Sequence, residues 1–202
     1  MLSQADNALL TQTGLDKPMA KLLSRFWIPA CQSQELPKPG GQPLKIQLLG
    51  ERLVGFRDTH GRVGLLDEFC AHRGASLSLG RNQESGLRCA YHGWQFDVDG
   101  NCVDQMNEPE HCRFAQKIRT KAYPTIEAGG LVWTYMGPPD RKPPTLPQFD
   151  WAQVPADHRV VSKRLQPSNW FQAVEGSVDS SHVGVLHRSV NPTGSRPLWM
   201  TQ

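Results

Sequence analysis

The chain has 202 residues, of which 38% are hydrophobic and 20% charged, as is ordinary for a globular protein of one large or two small domains. The net charge of +3 is small and the lysines and arginines are scattered, so nothing supports nucleic-acid binding. No apolar run approaches the roughly 18 residues of a membrane-spanning helix, and the N-terminus lacks the basic-then-apolar pattern of a signal peptide. We therefore expect a cytoplasmic protein.

The N-terminal segment, residues 1–36, is predicted to contain a helix over 16–27. Asp16 can cap this helix, Pro18 suits its first turn, and apolar residues follow at intervals of three and four. Pro29 is expected to mark the end of the helix, because proline cannot continue the hydrogen-bond pattern.

Residues 37–137 are predicted to form short antiparallel strands, because apolar runs alternate with turns rich in Gly, Pro and Asp. The expected fold class is mostly β: a small antiparallel β-sandwich whose loops carry the functional residues. A proline-rich connector follows at 138–147, and residues 148–202 are expected to begin a second domain. The predicted strands are 44–49, 52–57, 62–66, 95–98, 117–123 and 131–136.

Two short metal-ligand motifs lie in this β-rich segment. Cys70-Ala-His72 is followed, after sixteen residues, by Cys89-Ala-Tyr-His92. Thiolate and imidazole together suit an iron–sulfur cluster or zinc. Zinc fingers usually run Cys, Cys, His, His, whereas here the order alternates, so each motif can give one ligand to each iron of a [2Fe–2S] cluster of the Rieske type. A structural zinc site is the alternative.

The residues around the motifs support the cluster. Gly74 and Gly93 allow tight turns that bring backbone N–H groups close to cluster sulfurs. Trp94 can shield the cluster or simply pack in the core. The other cysteines lie outside both motifs and are interpreted as ordinary thiols in a reducing compartment. They are Cys31, Cys102 and Cys112.

A second group of candidate metal ligands lies beyond the connector. Asp179 and His182 are three residues apart and can form a hydrogen bond. His187 follows five residues later, and Gly184 can interrupt a helix and let the two histidines approach each other. Two histidines and one carboxylate hold iron in non-haem Fe(II) oxygenases. A pair of ordinary histidines is the alternative.

Together, the two groups resemble the terminal oxygenase (alpha) subunit of Rieske non-haem iron ring-hydroxylating enzymes. Asp179, His182 and His187 have the spacing of the family's iron-binding motif. The sequences before Cys70 and over 91–100 look most similar to the phthalate 4,5-dioxygenase-like branch. Within the first motif, an alanine stands where the family often carries proline.

The resemblance implies a [2Fe–2S] cluster and a mononuclear non-haem Fe(II) held by His182 and His187. Electrons would come from an NAD(P)H-dependent reductase with flavin and iron–sulfur centres. Asp179 would join a cluster histidine to an iron-bound histidine across the subunits of a homotrimer, or a multiple of it. The substrates would be O2 and an aromatic compound, expected to be carboxylated. Residues 37–137 would be the Rieske domain and 148–202 the start of an α+β catalytic domain.

One departure from the family limits this prediction. The family's third iron ligand is a carboxylate from far downstream, whereas no Asp or Glu follows His187 here. Residues 148–202 are also too few to bury a substrate pocket. We therefore expect a C-terminally truncated chain or a fragment, with an intact Rieske domain and an incomplete mononuclear iron site.

Three other functions are alternatives to this one. An aryl monooxygenase or an O-demethylase of the vanillate type would use the same metal motifs. A Rieske electron carrier would need neither the second histidine motif nor the N-terminal helix. A zinc-stabilised binding module is disfavoured by the order of the ligands.

Overall fold

The computed structural model of the chain describes residues 2–109, 111 and 113–187. The chain forms two compact units. One lies within residues 12–164, and the other is built from the described residues towards the two ends of the chain, 2–11 and 165–187. None of the helices described is long and apolar enough to cross a membrane.

The unit of residues 12–164 contains three antiparallel sheets. In the first, β1 (Trp27–Gln32), β11 (Leu131–Tyr135) and β10 (Thr125–Ala128) lie side by side in this order. The second has the order β2 (Leu44–Leu48), β3 (Glu51–Arg57), β4 (Val63–Asp67) and β9 (Ala122–Tyr123). The third has the order β5 (Arg81–Gln83), β6 (Gly86–Arg88), β7 (Trp94–Phe96) and β8 (Cys102–Gln105).

The helices of the described residues are short. The unit of residues 12–164 contains α2 (Pro18–Leu23) and α3 (Asp150–Gln153). The other unit contains α1 (Gln4–Thr11), α4 (Trp170–Val178) and α5 (Val183–Leu186). Single turns of 3₁₀ helix occur at Ser33–Glu35, Leu77–Leu79, Ala115–Lys117, Pro139–Arg141 and Ala156–His158.

The core beside the third sheet contains the cysteines of both motifs. Cys70 and Cys89 are 5% and 4% exposed and belong to one apolar cluster. Their buried neighbours in this cluster are Val54, Phe56, Leu66, Leu77, Leu87, Trp94, Phe96 and Cys102. Burial of this apolar surface fixes the point from which each loop leaves the core.

The mostly β, antiparallel fold class is confirmed, but some predicted boundaries are wrong. The helix predicted over 16–27 is confined to α2, because the chain has already entered β1 at Trp27. Pro29 lies inside β1, at an irregularity in the pairing with β11. This strand is at the edge of its sheet, where a missing N–H is tolerated.

Further strands differ from the prediction. Over 117–123 only β9 is a strand, because the chain first makes a 3₁₀ turn over Ala115–Lys117. The sequence analysis also missed β1, β5, β6, β8 and β10. Of these, β5 and β6 have only three residues each and β8 and β10 only four, too short for an alternating pattern to be recognised.

An ion pair joins the first two sheets. The Arg57 guanidinium on β3 donates two hydrogen bonds of 2.7 Å to the Glu127 carboxylate on β10. A third N–H of Arg57 donates to the carbonyl of Leu36. The hydrogen bonds from Arg57 hold the pKa of Glu127 below its usual range, although partial burial opposes this shift.

Replacing Glu127 by Gln tests this ion pair. At pH 7 we expect the free energy of unfolding to fall by only about 1 kcal/mol, because water screens the half-exposed pair. The lowered pKa of Glu127 means that its contribution is complete above the unfolded-state pKa of about 4.3 and is lost as the pH falls further. The free energies of unfolding of variant and wild type, measured in urea, should therefore differ at pH 7 and become equal at about pH 3.

The exposed carboxylate of Asp99 provides the control for this prediction. Asp99→Asn should leave the unfolding free energy close to the wild-type value at both pH values. An equal loss in Glu127→Gln at both pH values would contradict the electrostatic role.

Candidate metal sites

The two Cys–His motifs form loops of the same construction. In each, the cysteine N–H donates to the carbonyl five residues later, and the glycine N–H donates back to the cysteine carbonyl, at N···O distances of 2.8–3.1 Å. The residues are Cys70, Gly74 and Ala75 in the first loop and Cys89, Gly93 and Trp94 in the second. Both glycines have a positive φ, +70° and +74°, which other residues rarely adopt.

The loops bring like ligands together. The Cys89 thiol lies within hydrogen-bonding reach of the Cys70 sulfur. The rings of His72 and His92 have centroids 4.6 Å apart and are inclined at 62°. Since an imidazole bound through a metal–nitrogen bond of about 2 Å has its centre roughly 3 Å from the ion, both rings can bind one metal. Two thiols on one side and two imidazoles on the other match the two irons of a Rieske cluster.

The polar atoms at the site also fit a bound cluster. Nδ1 of His72 is buried and has no hydrogen-bond partner among the described residues, as expected of a free metal ligand. Burial, the neighbouring His92 ring and Arg73 hold the pKa of His72 below its usual range, which favours the neutral, ligating form.

The Cys70 sulfur is in an environment suited to cluster binding. Burial is the main reason why its pKa is raised, and the adjacent Cys89 thiol adds to this effect. Backbone N–H groups of His72 and Arg73 donate to the sulfur and oppose the rise. Such N–H···S bonds stabilise thiolate ligands of iron–sulfur clusters.

A buried carboxylate braces the first loop. Glu68, two residues before Cys70, is only 2% exposed. Its carboxylate accepts hydrogen bonds of 2.6 Å from Ser76 and 2.8 Å from Arg52, and Lys45 is 3.3 Å away. Burial raises the pKa of Glu68, but these partners outweigh burial and lower it overall. Because Ser76 lies beyond the loop, the carboxylate ties the two ends of the loop together.

A buried guanidinium braces the second loop. Arg88, directly before Cys89, donates hydrogen bonds to the Gly93 carbonyl at 2.7 Å and to the Asp104 carboxylate at 2.6 Å. Nη2 of Arg88 donates a further hydrogen bond of 2.5 Å to the side-chain oxygen of Gln95. The guanidinium therefore joins the start and the end of the loop to β8.

A second histidine pair lies in the unit formed by the chain ends. The rings of His182 and His187 have centroids 5.3 Å apart, close enough to share one ion. The Asp179 carboxylate lies 3.0 Å from Nδ1 of His182 and accepts hydrogen bonds from the Ser181 N–H and hydroxyl at 2.8 and 2.5 Å. The bonds from Ser181, followed by the one from His182, lower the pKa of Asp179 to about 2.

Ionised Asp179 defines the tautomer of His182. A carboxylate can only accept, so Nδ1 of the imidazole is the donor and Nε2 keeps a free lone pair. Helix α4 ends at Val178 and α5 begins at Val183, so the hydrogen bond spans a turn rather than one helical face. No three His, Cys, Asp or Glu side chains in the described ranges converge on a single ion, so the pair lacks a third ligand within this part of the chain.

Comparisons with known proteins agree with a cluster site at the two Cys–His loops and an iron site at the second histidine pair. A family model for the Rieske [2Fe-2S] domain matches residues 26–124, and one described as LigXa C-terminal domain like matches residues 134–195. The chain is 48% identical over 191 residues to the phthalate 4,5-dioxygenase oxygenase subunit of Pseudomonas putida. The chain belongs to the Rieske oxygenase family. This match covers 94% of the chain but 43% of the relative.

Solved structures of Rieske oxygenases share the fold. Dicamba monooxygenase with non-heme iron and dicamba superposes with a TM-score of 0.55 at 30% identity, covering 62% of this chain and 38% of that one. The oxygenase in the reduced oxygenase–ferredoxin complex of carbazole 1,9a-dioxygenase gives a TM-score of 0.51 at 32% identity, covering 59% and 30%. The chain thus spans less than half the length of the relatives that it matches.

The sequence analysis missed the two braces of the Rieske loops. Glu68 and Arg88 each stand one or two residues before a cysteine, and both are buried although they are charged. A charged residue next to a metal-ligand motif is the signal that was available. Their partners, Arg52 and Asp104, could not be identified because they lie on separate strands.

Replacing Arg88 by Lys should loosen the second loop. Lysine keeps the charge but lacks the two separate terminal nitrogens with which Arg88 spans its acceptors, so we expect the free energy of unfolding to fall by about 2 kcal/mol. Urea unfolding measures this loss, and faster hydrogen exchange of the Gly93 amide would locate it in the loop.

Arg141→Lys is the matched control, because its ion pair with Asp140 is exposed on both sides. This variant should change the unfolding free energy by less than about 0.5 kcal/mol. Equal losses in the two variants would contradict the bracing role of Arg88.

Proposed function

We propose that the chain contributes the electron-accepting part and the first iron ligands of the terminal oxygenase component of a Rieske-type aromatic-ring dioxygenase. The observation that carries this proposal is the pairing of two thiols and two imidazoles on matched loops. When bound, the cluster supplies single electrons to a mononuclear iron that activates O2.

The four motif residues have distinct roles in this proposal. Cys70 and Cys89 hold one iron of the cluster as thiolates, and His72 and His92 hold the other as neutral imidazoles. The loop amides donate to sulfur and stabilise the thiolate charge. This division is supported by the short His72–His92 distance and the adjacent thiols.

Asp179 is proposed to orient an iron ligand and to connect it to the cluster. By accepting the Nδ1 proton of His182 it aims Nε2 at the metal, as carboxylates beside metal-bound histidines commonly do. Each carboxylate oxygen has two lone pairs, so Asp179 can also accept an N–H from a cluster histidine of a neighbouring subunit. A homotrimer, or a multiple of it, would provide that neighbour.

The mononuclear iron would be bound by His182 and His187 together with a carboxylate from outside the sequence described. Asp and Glu are absent from residues 188–202, which therefore do not supply the carboxylate that usually completes the triad. In this proposal residues 37–137 form the Rieske domain, 138–147 the connector and 148–202 the start of the catalytic domain.

The electron donor and the substrate follow from the relatives. The carbazole oxygenase is solved in complex with a ferredoxin, which supports an iron–sulfur or flavin reductase system as the donor here. Phthalate, the substrate in the name of one relative, supports a carboxylated aromatic substrate. An aryl monooxygenase reaction is the second candidate, since dicamba monooxygenase shares the fold. Location in the cytoplasm stays a prediction.

Replacing His72 by Ala tests the ligand assignment. We expect loss or a marked change of the visible absorption and the electron paramagnetic resonance (EPR) spectrum of the reduced cluster, because one iron loses a nitrogen ligand. His158→Ala, at an exposed histidine of the same unit, should leave both spectra unchanged. Wild-type spectra in His72→Ala would remove His72 from the ligand set.

Asp179→Asn tests the connecting carboxylate, in a polypeptide that also supplies the third iron ligand. The amide has the shape of the carboxylate but not its charge, so both metals should stay bound while electron transfer to the iron slows at least about tenfold. Rapid mixing of the reduced protein with O2 and substrate measures this rate. Asp157→Asn is the control, and wild-type kinetics in Asp179→Asn would refute the connecting role.

A further inference from the structure

Trp94 makes a contact with a proposed cluster ligand that plain core packing does not require. Its indole lies nearly parallel to the His72 imidazole, with centroids 4.4 Å apart and an angle of 8° between the planes. Trp94 is 4% exposed and belongs to the second loop, whereas His72 belongs to the first. The stacked pair therefore joins the two loops at the ligand itself.

The indole is itself held in a fixed orientation. Its Nε1–H donates a 2.8 Å hydrogen bond to the side-chain oxygen of Asn107, in the turn after β8. The ring of Phe114 packs edge-on against it at 6.2 Å. A tethered and buried ring of this size has few rotamers available, so it can impose its plane on a stacked neighbour.

The His72 ring depends on this contact more than metal-bound histidines usually do. A ligating histidine is normally oriented by a hydrogen bond from its second nitrogen. Among the described residues, no hydrogen bond reaches the His72 ring. The stacked indole is the rigid group that defines the plane of this ring.

The second imidazole is held differently. The His92 ring contacts that of Tyr91, with centroids 3.7 Å apart and planes inclined at 34°, but Tyr91 is 63% exposed. One ligand ring thus faces a buried, tethered indole and the other an exposed phenol. The two histidines are both half-buried, but the rings that they contact differ in burial and in tethering.

From this geometry we propose that Trp94 is a positioning residue for His72: its stacked indole sets the plane of the imidazole and keeps water from that side of the cluster. The inference rests on the cluster assignment of the proposed function. Water admitted beside His72 would stabilise the negative charge added on reduction, so losing the indole should raise the reduction potential.

The test compares four variants by iron and sulfide content, EPR spectrum and reduction potential. Trp94→Leu removes the stacked ring, so the EPR g values should shift and the potential should rise. Trp94→Phe keeps an aromatic face and should stay closer to wild type. Asn107→Ala releases only the tether and should broaden the EPR signal.

Trp133→Leu is the matched control, because this indole, on β11 of another sheet, is also buried, hydrogen-bonded and stacked, in its case on the ring of Phe149. It should lower the unfolding free energy and leave the EPR spectrum and potential unchanged. If Trp94→Leu retains no cluster, the EPR spectra and reduction potentials of Trp94→Phe and Asn107→Ala, compared with wild type, still test whether Trp94 positions His72.

The outcomes separate this inference from the proposed function. Wild-type protein without iron and sulfide would overturn both. A normal wild-type cluster with unchanged g values and potential in Trp94→Phe, Trp94→Leu and Asn107→Ala would overturn the positioning role alone. Equal spectral shifts in Trp133→Leu would also overturn it, because any buried Trp would then have the same effect.

Discussion

The arrangement of the cluster site depends on the convergence of two thiols and two imidazoles from loops that are far apart in sequence. The two loops have the same construction: the cysteine is buried in the apolar core, and a glycine four residues later closes the turn. The two loops have the same length, but the histidine stands at different places in them, two residues after Cys70 and three after Cys89. The two histidines can thus approach a common point from loops of equal shape.

Opposite charges stabilise the two loops. A buried carboxylate, Glu68, draws the ends of the first loop together, and a buried guanidinium, Arg88, does so in the second. Each forms several hydrogen bonds, as buried charges must to offset their desolvation. The stacked ring of Trp94 then connects the second loop to His72 of the first. The site is therefore held by polar contacts outside it as well as by its own ligands.

The ligands were readable from the sequence because metal chemistry restricts both residue type and spacing. Five of the six strands expected from the pattern of apolar runs occur close to their predicted places, since turns such as the one at Gly50 delimit them. Contacts between distant residues were not readable. The partners of Glu68 and Arg88, the stacking of Trp94 on His72 and the pairing of β1 with β11 depend on tertiary structure, which no local pattern encodes.

At the second histidine pair the local sequence was more informative. The bond between Asp179 and His182 was predicted from their spacing and is present, but across a turn between two helices. Ser181, which contributes most to the low pKa of Asp179, was not singled out. It keeps the carboxylate ionised and therefore able to accept the proton of a metal-bound imidazole.

The central claim is that these loops hold a [2Fe–2S] cluster, and the most direct test is the content of iron, zinc and acid-labile sulfide in purified protein. The account predicts about two irons and two sulfides per chain at the two loops. A third iron would mean that His182 and His187 also hold metal. One zinc without sulfide would contradict the account, because the same four ligands would then form a structural zinc site.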